Sequence, residues 1–590
     1  MGHVFRKLYP DESAGDSEMT LEGVKIRYGD VAPEAKENFA PTVTDKADFV
    51  DLSQLQQYNM DFPNFGNPCE YGSVLLDSSA EPFPSYPESE NMGLWSNRIS
   101  GADGTFETPI TLTLIAEGQY SSQGFTLTFD TYNNIFCNDL TVTWYRADTQ
   151  LETADFTPNS AFYFCRKKVE NFDKVVMVFK KLNMPYNRLK LRVIDYGYGT
   201  FFKGAELRSV NVIQELDPIS AELSIDTVDF TLDSKTDMEY SFQSKQPLSV
   251  YFNGRLRATT FVSCSTRQSK NVWRIESEDY IGQLTRLTFL GDIYTEKNAK
   301  ELLESIFSQA KIPVEIADSS AEKTVTGHIP VCDCREAVRQ ICYAIGAVVS
   351  TANSDTVKIF ELSNDVTQII PLTRIRQGQS FDEDDRVTAV RVVSHSYAKS
   401  EESTEVYNSD KSGTGDEILV QFSEPFHDLS ITNGEILKNE DNTPKSSANY
   451  AIIKANTGCV LTGKKYVDTT AAYTKQNPIV SASDLENIVE VTDATLVNPA
   501  NVSDILEKTY NNAIKRTTTQ LKINEGYDHV KWGDAKWGAF KWNGKRFDTV
   551  IEPGDVVTSE TEYLGNVTGR IVSERYNCNG YILVKECELK

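Results

Sequence analysis

Between Thr295 and Gly346 the apolar residues change their period. Ala299, Leu302, Leu303, Ile306, Phe307 and Ala310 recur at steps of three and four, which is one face of a helix. Thr295 is the candidate N-cap, and Pro313 lies beyond the end. A second helix is predicted from Asp333, with Glu336 three residues on as a capping box. Its face carries Ala337, Val338, Ile341, Cys342 and Ile345, and Gly346 ends it. Two strands follow, at 347–351 and 357–362, joined through Asn353-Ser354-Asp355. On both sides of this block the alternation is every second residue, the period of a strand. The fold class that results is mainly β with an α+β insert.

Upstream, Ile110, Leu112 and Leu114 share one face, as do Phe125, Leu127 and Phe129. Leu140, Val142 and Trp144 make a third set, Val175, Met177 and Phe179 a fourth, and Leu189, Leu191 and Val193 close the series. Period-two strands separated by Gly, Asn and Asp turns predict an antiparallel β-sandwich over 61–215. It is preceded by an extended arm, 1–60, rich in charge, Pro and Gly. A small barrel is predicted over 216–292. There Leu223 and Ile225 lie on one phase and Val228, Phe230 and Leu232 on the other, so a bulge at Asp226-Thr227 is expected. Asn253-Gly254 after Leu248, Val250 and Phe252 is a hairpin signal, because both turn residues take positive φ. The α+β insert then fills 293–363, and a second barrel with long loops fills 364–500, its polar stretch Lys399–Gly415 read as a loop. Residues 501–547 hold a helix, about Val502 to Thr519 with Ser503 as its cap, and a Trp-rich loop. Residues 548–590, with an Asn579-Gly580 hairpin, complete the second barrel.

Charge narrows the function. The formal net charge of −26 repels phosphate backbones, so specific nucleic-acid binding is not expected. No apolar run approaches the length of a membrane span; the longest candidate is Ala344–Val349. The N-terminus has no apolar h-region, and Arg6 stands where a myristoylation signal needs Ser or Thr, so neither a secretion signal nor a lipid anchor is expected. Ten cysteines in 590 residues is ordinary usage, and Cys137, Cys165, Cys342 and Cys459 sit in apolar strands or helices as small hydrophobes. That pattern fits a reducing cytoplasm.

Motifs for chemistry are missing. There is no Gly-x-Ser-x-Gly elbow, His-Glu-x-x-His helix, phosphate-binding loop or dinucleotide fingerprint. His328 with Cys332 and Cys334 lacks a second ligand pair, so it is read as structural. Asp382-Glu383-Asp384-Asp385 has the oxygens for a hard cation but is read as a solvated turn. His395 lies within strand sequence and is read as a packing or hydrogen-bonded residue. No catalytic, cofactor-binding or metal-binding residue is assigned, and no cofactor is expected. Trp532, Trp537 and Trp542 recur at a five-residue step, each after a lysine. They fit a stacking platform for bases or sugars, but in an acidic chain they are assigned as an anchor against another domain or subunit.

One set of segments carries more than a fold class. Phe65-Gly66-Asn67-Pro68-Cys69-Glu70-Tyr71-Gly72, Leu75-Leu76-Asp77 and Gly93-Leu94-Trp95-Ser96 resemble the N-terminal region of tail-tip proteins of phages and prophages of Gram-positive bacteria. Gln246–Gly254, Trp273 and Glu278-Asp279-Tyr280-Ile281-Gly282 are similar to the first barrel of phage baseplate-hub proteins. Cys334-Arg335-Glu336-Ala337 and Ala344-Ile345-Gly346-Ala347 match the insert, and Arg386-Val387-Thr388-Ala389-Val390 the opening of the second barrel. The resemblance implies a galactose-binding-like jelly roll for the sandwich and two hub-type barrels flanking the insert. It also implies a homotrimeric ring at the distal tip of a virion tail, assembled in the bacterial host cytoplasm. Its partners would be the distal tail protein or tube ring, the tape measure protein and other tail-tip or receptor-binding proteins. DNA would pass through an acidic lumen, and the sandwich would be placed to bind a cell-wall glycan. Since the sequence stops at Lys590 without a fibre or hydrolase segment, wall degradation is expected of other chains. The rival readings are a carbohydrate-binding surface adhesin, against which the missing secretion signal counts, and a cell-wall hydrolase.

Overall fold

The computed structural model describes residues 24–31, 40–41, 94–523 and 551–590, apart from 131–132, 192, 235–241, 243, 253–254, 373–374, 376–378, 410–416, 440, 480–484, 562, 564 and 580–581. The chain divides into two compact units, Arg27–Phe201 and a larger one of Phe202–Lys590 with Met1–Ile26. The protein is mainly β, with one α+β block. Nearly all of the arm, the 65–77 segment and the turn residues Asn253-Gly254 lie outside the described residues.

In the smaller unit the strands Thr149–Phe156, Cys137–Arg146, Phe162–Leu182 and Thr105–Thr128 are antiparallel neighbours in that order. The two longest pair twice. Ile110–Ile115 lies against Lys174–Phe179, and after several register shifts Phe125–Thr128 lies against Phe162–Cys165. The strand that starts at Val193 then adds beside Phe125. Gly124 sits at the change of direction with φ +150, and a Cβ there would stand 2.2 Å from the Cys165 carbonyl oxygen, which only glycine avoids. Each alternating set named above except the last is buried along its length. Leu189 and Leu191 are buried on a separate ribbon with Leu94–Ile99, whereas Val193 begins the next strand and is only half-buried.

In the larger unit Arg255–Arg267 lies between Pro247–Phe252 and Val272–Glu278, followed by Thr227–Asp233 and Leu207–Glu215. Alternation alone assigns the last of these to the end of the sandwich. It belongs here, because it pairs from Leu207 to Ile213 with Thr227–Leu232. Its other edge takes Gly565–Asn579, then Ile582–Leu589, Thr517–Ile523 and Ser380–Glu383. Val366–Ile370 runs parallel to Val556–Thr561, which pairs with the start of Gly565–Asn579. Ile370, Leu521, Ile523, Ile551, Val557, Ile571 and Leu589 form the core of this second β region.

The reading of 364–500 as one barrel closed by 548–590 is therefore revised. Val366–Ile370 and Ser380–Glu383 join the C-terminal strands, but Ala389–Asn408, Glu417–Gln421, Phe426–Ile436, Tyr450–Gln476 and Ile488–Val491 make a sheet of their own. Its apolar residues divide between a small core within the sheet and one shared with Tyr343 and the helix Val502–Ala513, both separate from the Ile370 cluster. Lys399–Asn408, polar enough to suggest a loop, continues the first of these strands. The helix predicted to Thr519 stops at Ala513, without a Ser503 cap, and the β-branched Thr517–Thr519 opens a strand.

No bulge reconciles the two phases around Asp226. Leu223 and Ile225 pack into the helical core, and the strand begins only at Thr227. The α+β block carries the two helices, Ala299–Ala310 and Cys334–Ile345, on the antiparallel strands Val348–Ser350 and Val357–Phe360, with Val314–Ile316 parallel to the second. Asn298, not Thr295, caps the first helix, accepting from Glu301 N–H at 3.1 Å; Thr295 lies in the strand before it. Asp333 caps the second, accepting from Glu336 N–H at 2.8 Å, while the Glu336 carboxylate turns to Arg339 and Gln340. Replacing either cap by alanine should destabilise the chain by about 1 kcal/mol in urea unfolding. Asp333→Asn should recover most of that loss, since the amide oxygen still accepts.

Candidate functional site

Trp532, Trp537 and Trp542 lie outside the described residues. The other sequence candidates are not brought together. Cys332 sits in a short strand pairing with Thr288–Phe289, and Cys334 is the first residue of the second helix, its side chain buried. Burial pushes the Cys332 thiol up to about 12 and the Cys334 thiol up to about 11, so both are protonated and poor nucleophiles at neutral pH. Among the described residues no group of three or more His, Cys, Asp or Glu stands close enough to hold a metal ion. Asp382–Asp385 is largely exposed; Glu383 pairs with Arg516, and Asp384 lies 3.8 Å from Lys590.

His395 and His328 meet across an aromatic ring. His395 is buried, with its Nδ1 2.8 Å from Asp468 Oδ2, and its ring stacks on Tyr397 at 6.3 Å. Tyr397 stands edge-on to His328 at 5.3 Å. His328 Nε2 donates to Asn449 Oδ1 at 2.7 Å, and the Asn449 amide donates to the carbonyls of Leu290 and Ile329 at 2.9 and 2.7 Å. Burial outweighs these polar contacts and holds His328 below its ordinary range, so it is neutral at pH 7. No hydroxyl or thiol nucleophile bonds either ring among the described residues, so the cluster is a structural cross-brace between the 389–476 sheet and the α+β block.

Ala389–Asn408 and Tyr450–Gln476 pair antiparallel over most of their length, with His395 opposite Thr470. Val390 and Val392 are buried against Val502 and Ile505 of the helix Val502–Ala513, which roots the ribbon. Beyond the root Asp468, Thr469 and Thr470 are exposed, and Val467 is 51% exposed. Ile488–Val491 pairs only with Ala389–Val392, so the edge from Val393 to Asn408 carries no further strand among the described residues. Its charges, Lys399, Glu401, Glu402 and Glu405, discourage edge-to-edge aggregation. Lys464 bridges to Glu401 at 2.5 Å and Lys465 to Glu424 at 2.5 Å, solvent-screened pairs that add little to stability. The exposed stretch of this ribbon, 467–474, left no signal in the sequence, because a strand wet on both faces shows no apolar alternation.

Three buried polar constructions were also missed. Arg339 Nη2 reaches Glu336 at 2.6 Å and Asp493 at 3.0 Å, and its Nη1 donates to the Ala221 carbonyl at 3.1 Å, tying the second helix to two distant segments. Lys585 and Glu574, 2.9 Å apart, are both buried. Lys190 and Asp130, 3.2 Å apart, are buried too, with the Lys190 ammonium 4.5 Å from the centre of the Trp95 ring. Burial opposes the charge on Asp130, but hydrogen bonds from Asn133 and the Lys190 charge prevail and hold its carboxyl below the usual range. All three fasten the fold.

The fold defines a mainly β protein whose described residues carry buried cross-braces. No protein-family model and no curated protein matches the sequence. Among solved structures it is similar to a tail protein from Neisseria meningitidis MC58, at 11% identity and a TM-score of 0.39 over 66% of this chain and 93% of that one. It is also similar to the prophage MuSo2 43 kDa tail protein from Shewanella oneidensis, at 8% identity and a TM-score of 0.40 over 66% and 95%. A third is the prophage tail protein gp18 from Listeria monocytogenes EGD-e, at 11% identity and a TM-score of 0.35 over 66% and 91%.

Proposed function

We propose that this chain is a structural hub protein at the distal tip of a phage tail or tail-like particle. It acts as a homotrimer that closes the tail tube, anchors the tape measure protein and receives other tip proteins. The observation that supports this most is the order of its parts: a β region at 207–278, the α+β block, and a second β region of 366–383 with 517–523 and 556–589, the two sharing the strand Gly565–Asn579. In a trimer two such regions per chain supply six similar positions, the symmetry match that a hexameric tube needs. The segment Arg386–Val390, which resembles the start of a second hub barrel, leads instead into the exposed ribbon, and the ribbon becomes the surface offered to neighbouring tip proteins. The tryptophans at 532, 537 and 542 serve as a further anchor in this reading. The net charge of −26 suits a lumen past which DNA slides without binding. The protein works without a cofactor and without catalysis.

Immunogold labelling of particles in a lysate, viewed by negative stain, should place gold at one end of the tails. Sedimentation of the purified chain should give a trimer. Gold on cell envelopes with bare tails would overturn the proposal in favour of a glycan-binding adhesin. Release of dye from labelled Gram-positive walls, where none is expected, would point to a hydrolase.

A further inference from the structure

Three elements of the larger unit meet at one hydroxyl. Asp226 stands just before the strand Thr227–Asp233, Asp279 just after Val272–Glu278, and Thr351 just after Val348–Ser350 of the α+β hairpin. All three are buried. Thr351 Oγ1 lies 2.9 Å from Asp226 Oδ2 and 2.6 Å from Asp279 Oδ2. A hydroxyl carries one hydrogen, so it can donate to only one of two carboxylates. The other contact closes only if the second carboxyl is itself protonated and donates to the Thr351 oxygen. Two ionised carboxylates here would leave a pair of buried like charges sharing one donor.

The remaining bonds say which acid carries the proton. Asp279 Oδ1 accepts from the Gly282 N–H at 3.0 Å, and the Ile281 N–H also favours its charge. Asp226 Oδ1 accepts from the Glu215 N–H at 2.9 Å. The charged groups that bear on Asp226 are Asp279, from the neighbouring strand end, and Glu215, from Leu207–Glu215, both acidic. We propose that Asp226 keeps a proton at neutral pH and donates it to Thr351, which donates in turn to ionised Asp279, so that one retained proton fastens the α+β hairpin to the β region. Burial, then the Asp279 charge, lifts the Asp226 carboxyl well above its ordinary range, and burial pushes Asp279 up to about 6.

The consequence is a stability that falls with pH. The folded chain holds a proton that an unfolded aspartate releases above about pH 4, so the stabilisation is complete at lower pH and is withdrawn as pH rises toward the folded value. Asp226→Asn supplies the donor permanently: its amide nitrogen donates to Thr351 while its oxygen accepts from Glu215. Urea unfolding of the full chain between pH 5 and pH 8 should show the variant's folding constant gaining on the wild type by about tenfold per pH unit, the linkage of one proton. A ratio independent of pH would overturn the proposal. Infrared spectra of the native wild-type chain at pH 8 provide a measurement that needs no asparagine variant. A protonated-carboxyl stretch is expected, and Thr351→Val should move it. Absence of the band overturns the proposal. So does a band that Thr351→Val leaves in place, which would assign the proton to Asp217, Asp229 or Glu552, whose carboxyls burial also raises.

Discussion

Lys585→Met is expected to remove about 3–5 kcal/mol of stability, enough to leave the larger unit largely unfolded at 37 °C. The Lys585 ammonium is 2.9 Å from Glu574 and 3.3 Å from the Ile551 carbonyl oxygen, and it stands 5.1 Å from the centre of the Tyr576 ring. Register places Tyr576 directly opposite Lys585 and Glu574 opposite Cys587, on the two strands that close the C-terminal hairpin. Methionine fills the space of the lysine stem but takes the Lys585 charge away from the buried Glu574 carboxylate. The desolvation of that carboxylate, now less well compensated, is the large cost rather than the lost attraction. The double replacement Lys585→Met with Glu574→Leu should therefore recover most of the loss, because it removes both charges together. Urea unfolding followed by circular dichroism reads all three proteins. A single variant within 1 kcal/mol of wild type would show that the pair is wetter than its burial implies.

Phe125→Ala is the second large effect, placed in the smaller unit. Phe125 is fully buried and stacks on Trp144 with ring centres 5.6 Å apart and planes 8° apart. It meets Phe172 and Tyr196 edge-on at 5.9 and 5.1 Å. It also follows Gly124, whose backbone packs close against the Cys165 carbonyl and so limits how far the strand can shift to fill the void. A truncation in such a site is expected to cost about 3–5 kcal/mol, the lost transfer energy plus a cavity. Phe125→Leu should recover about half. The fluorescence of Trp144 reports the change directly, since the stacked ring is lost. A loss below about 1 kcal/mol would mean that the sheet collapses onto the cavity.

The α+β block was legible because both its signals are local. Leu302, Leu303, Ile306 and Phe307 mark a face at helical spacing, and Asp333 with Gly346 mark the ends of a helix. The alternating core of the smaller unit was legible for the same reason, from Ile110 to Phe179. Strand partnership was not, because pairing of Val210 with both Phe230 and Cys578 is decided by residues far apart in sequence. Nor were the boundaries, since Leu207–Glu215 alternates like the strands of the smaller unit yet pairs with Thr227–Asp233 in the larger one. The phase change at Asp226 looked like a bulge because one segment serves two cores. The shared proton and the buried ion pairs left no trace in the sequence, where Asp279 and Lys585 look like ordinary surface charges. Ser503 looked like a cap, but the helix begins at Val502, and Asn501 at the cap position turns its side chain to the Asn498 N–H and the Leu496 carbonyl instead of capping.

The pairing of Ser209 with Asn579 also sets a timetable. On the ribosome, the edge of Leu207–Glu215 emerges hundreds of residues before the strand that covers it. At about 5–20 residues per second, that edge waits on the order of twenty seconds to a minute with its N–H and C=O groups unpaired. The excursion through 389–513 is built in the interval, and its cores draw on no residue beyond Ile514, so it can settle before the C-terminal strands close. Slow synthesis through that stretch would lengthen the exposure, and a chaperone or an early partner that shields the waiting edge would make misassembly rarer. Nascent chains stalled before Gly565 should thus be captured by a holdase, and chains released after Leu589 should not.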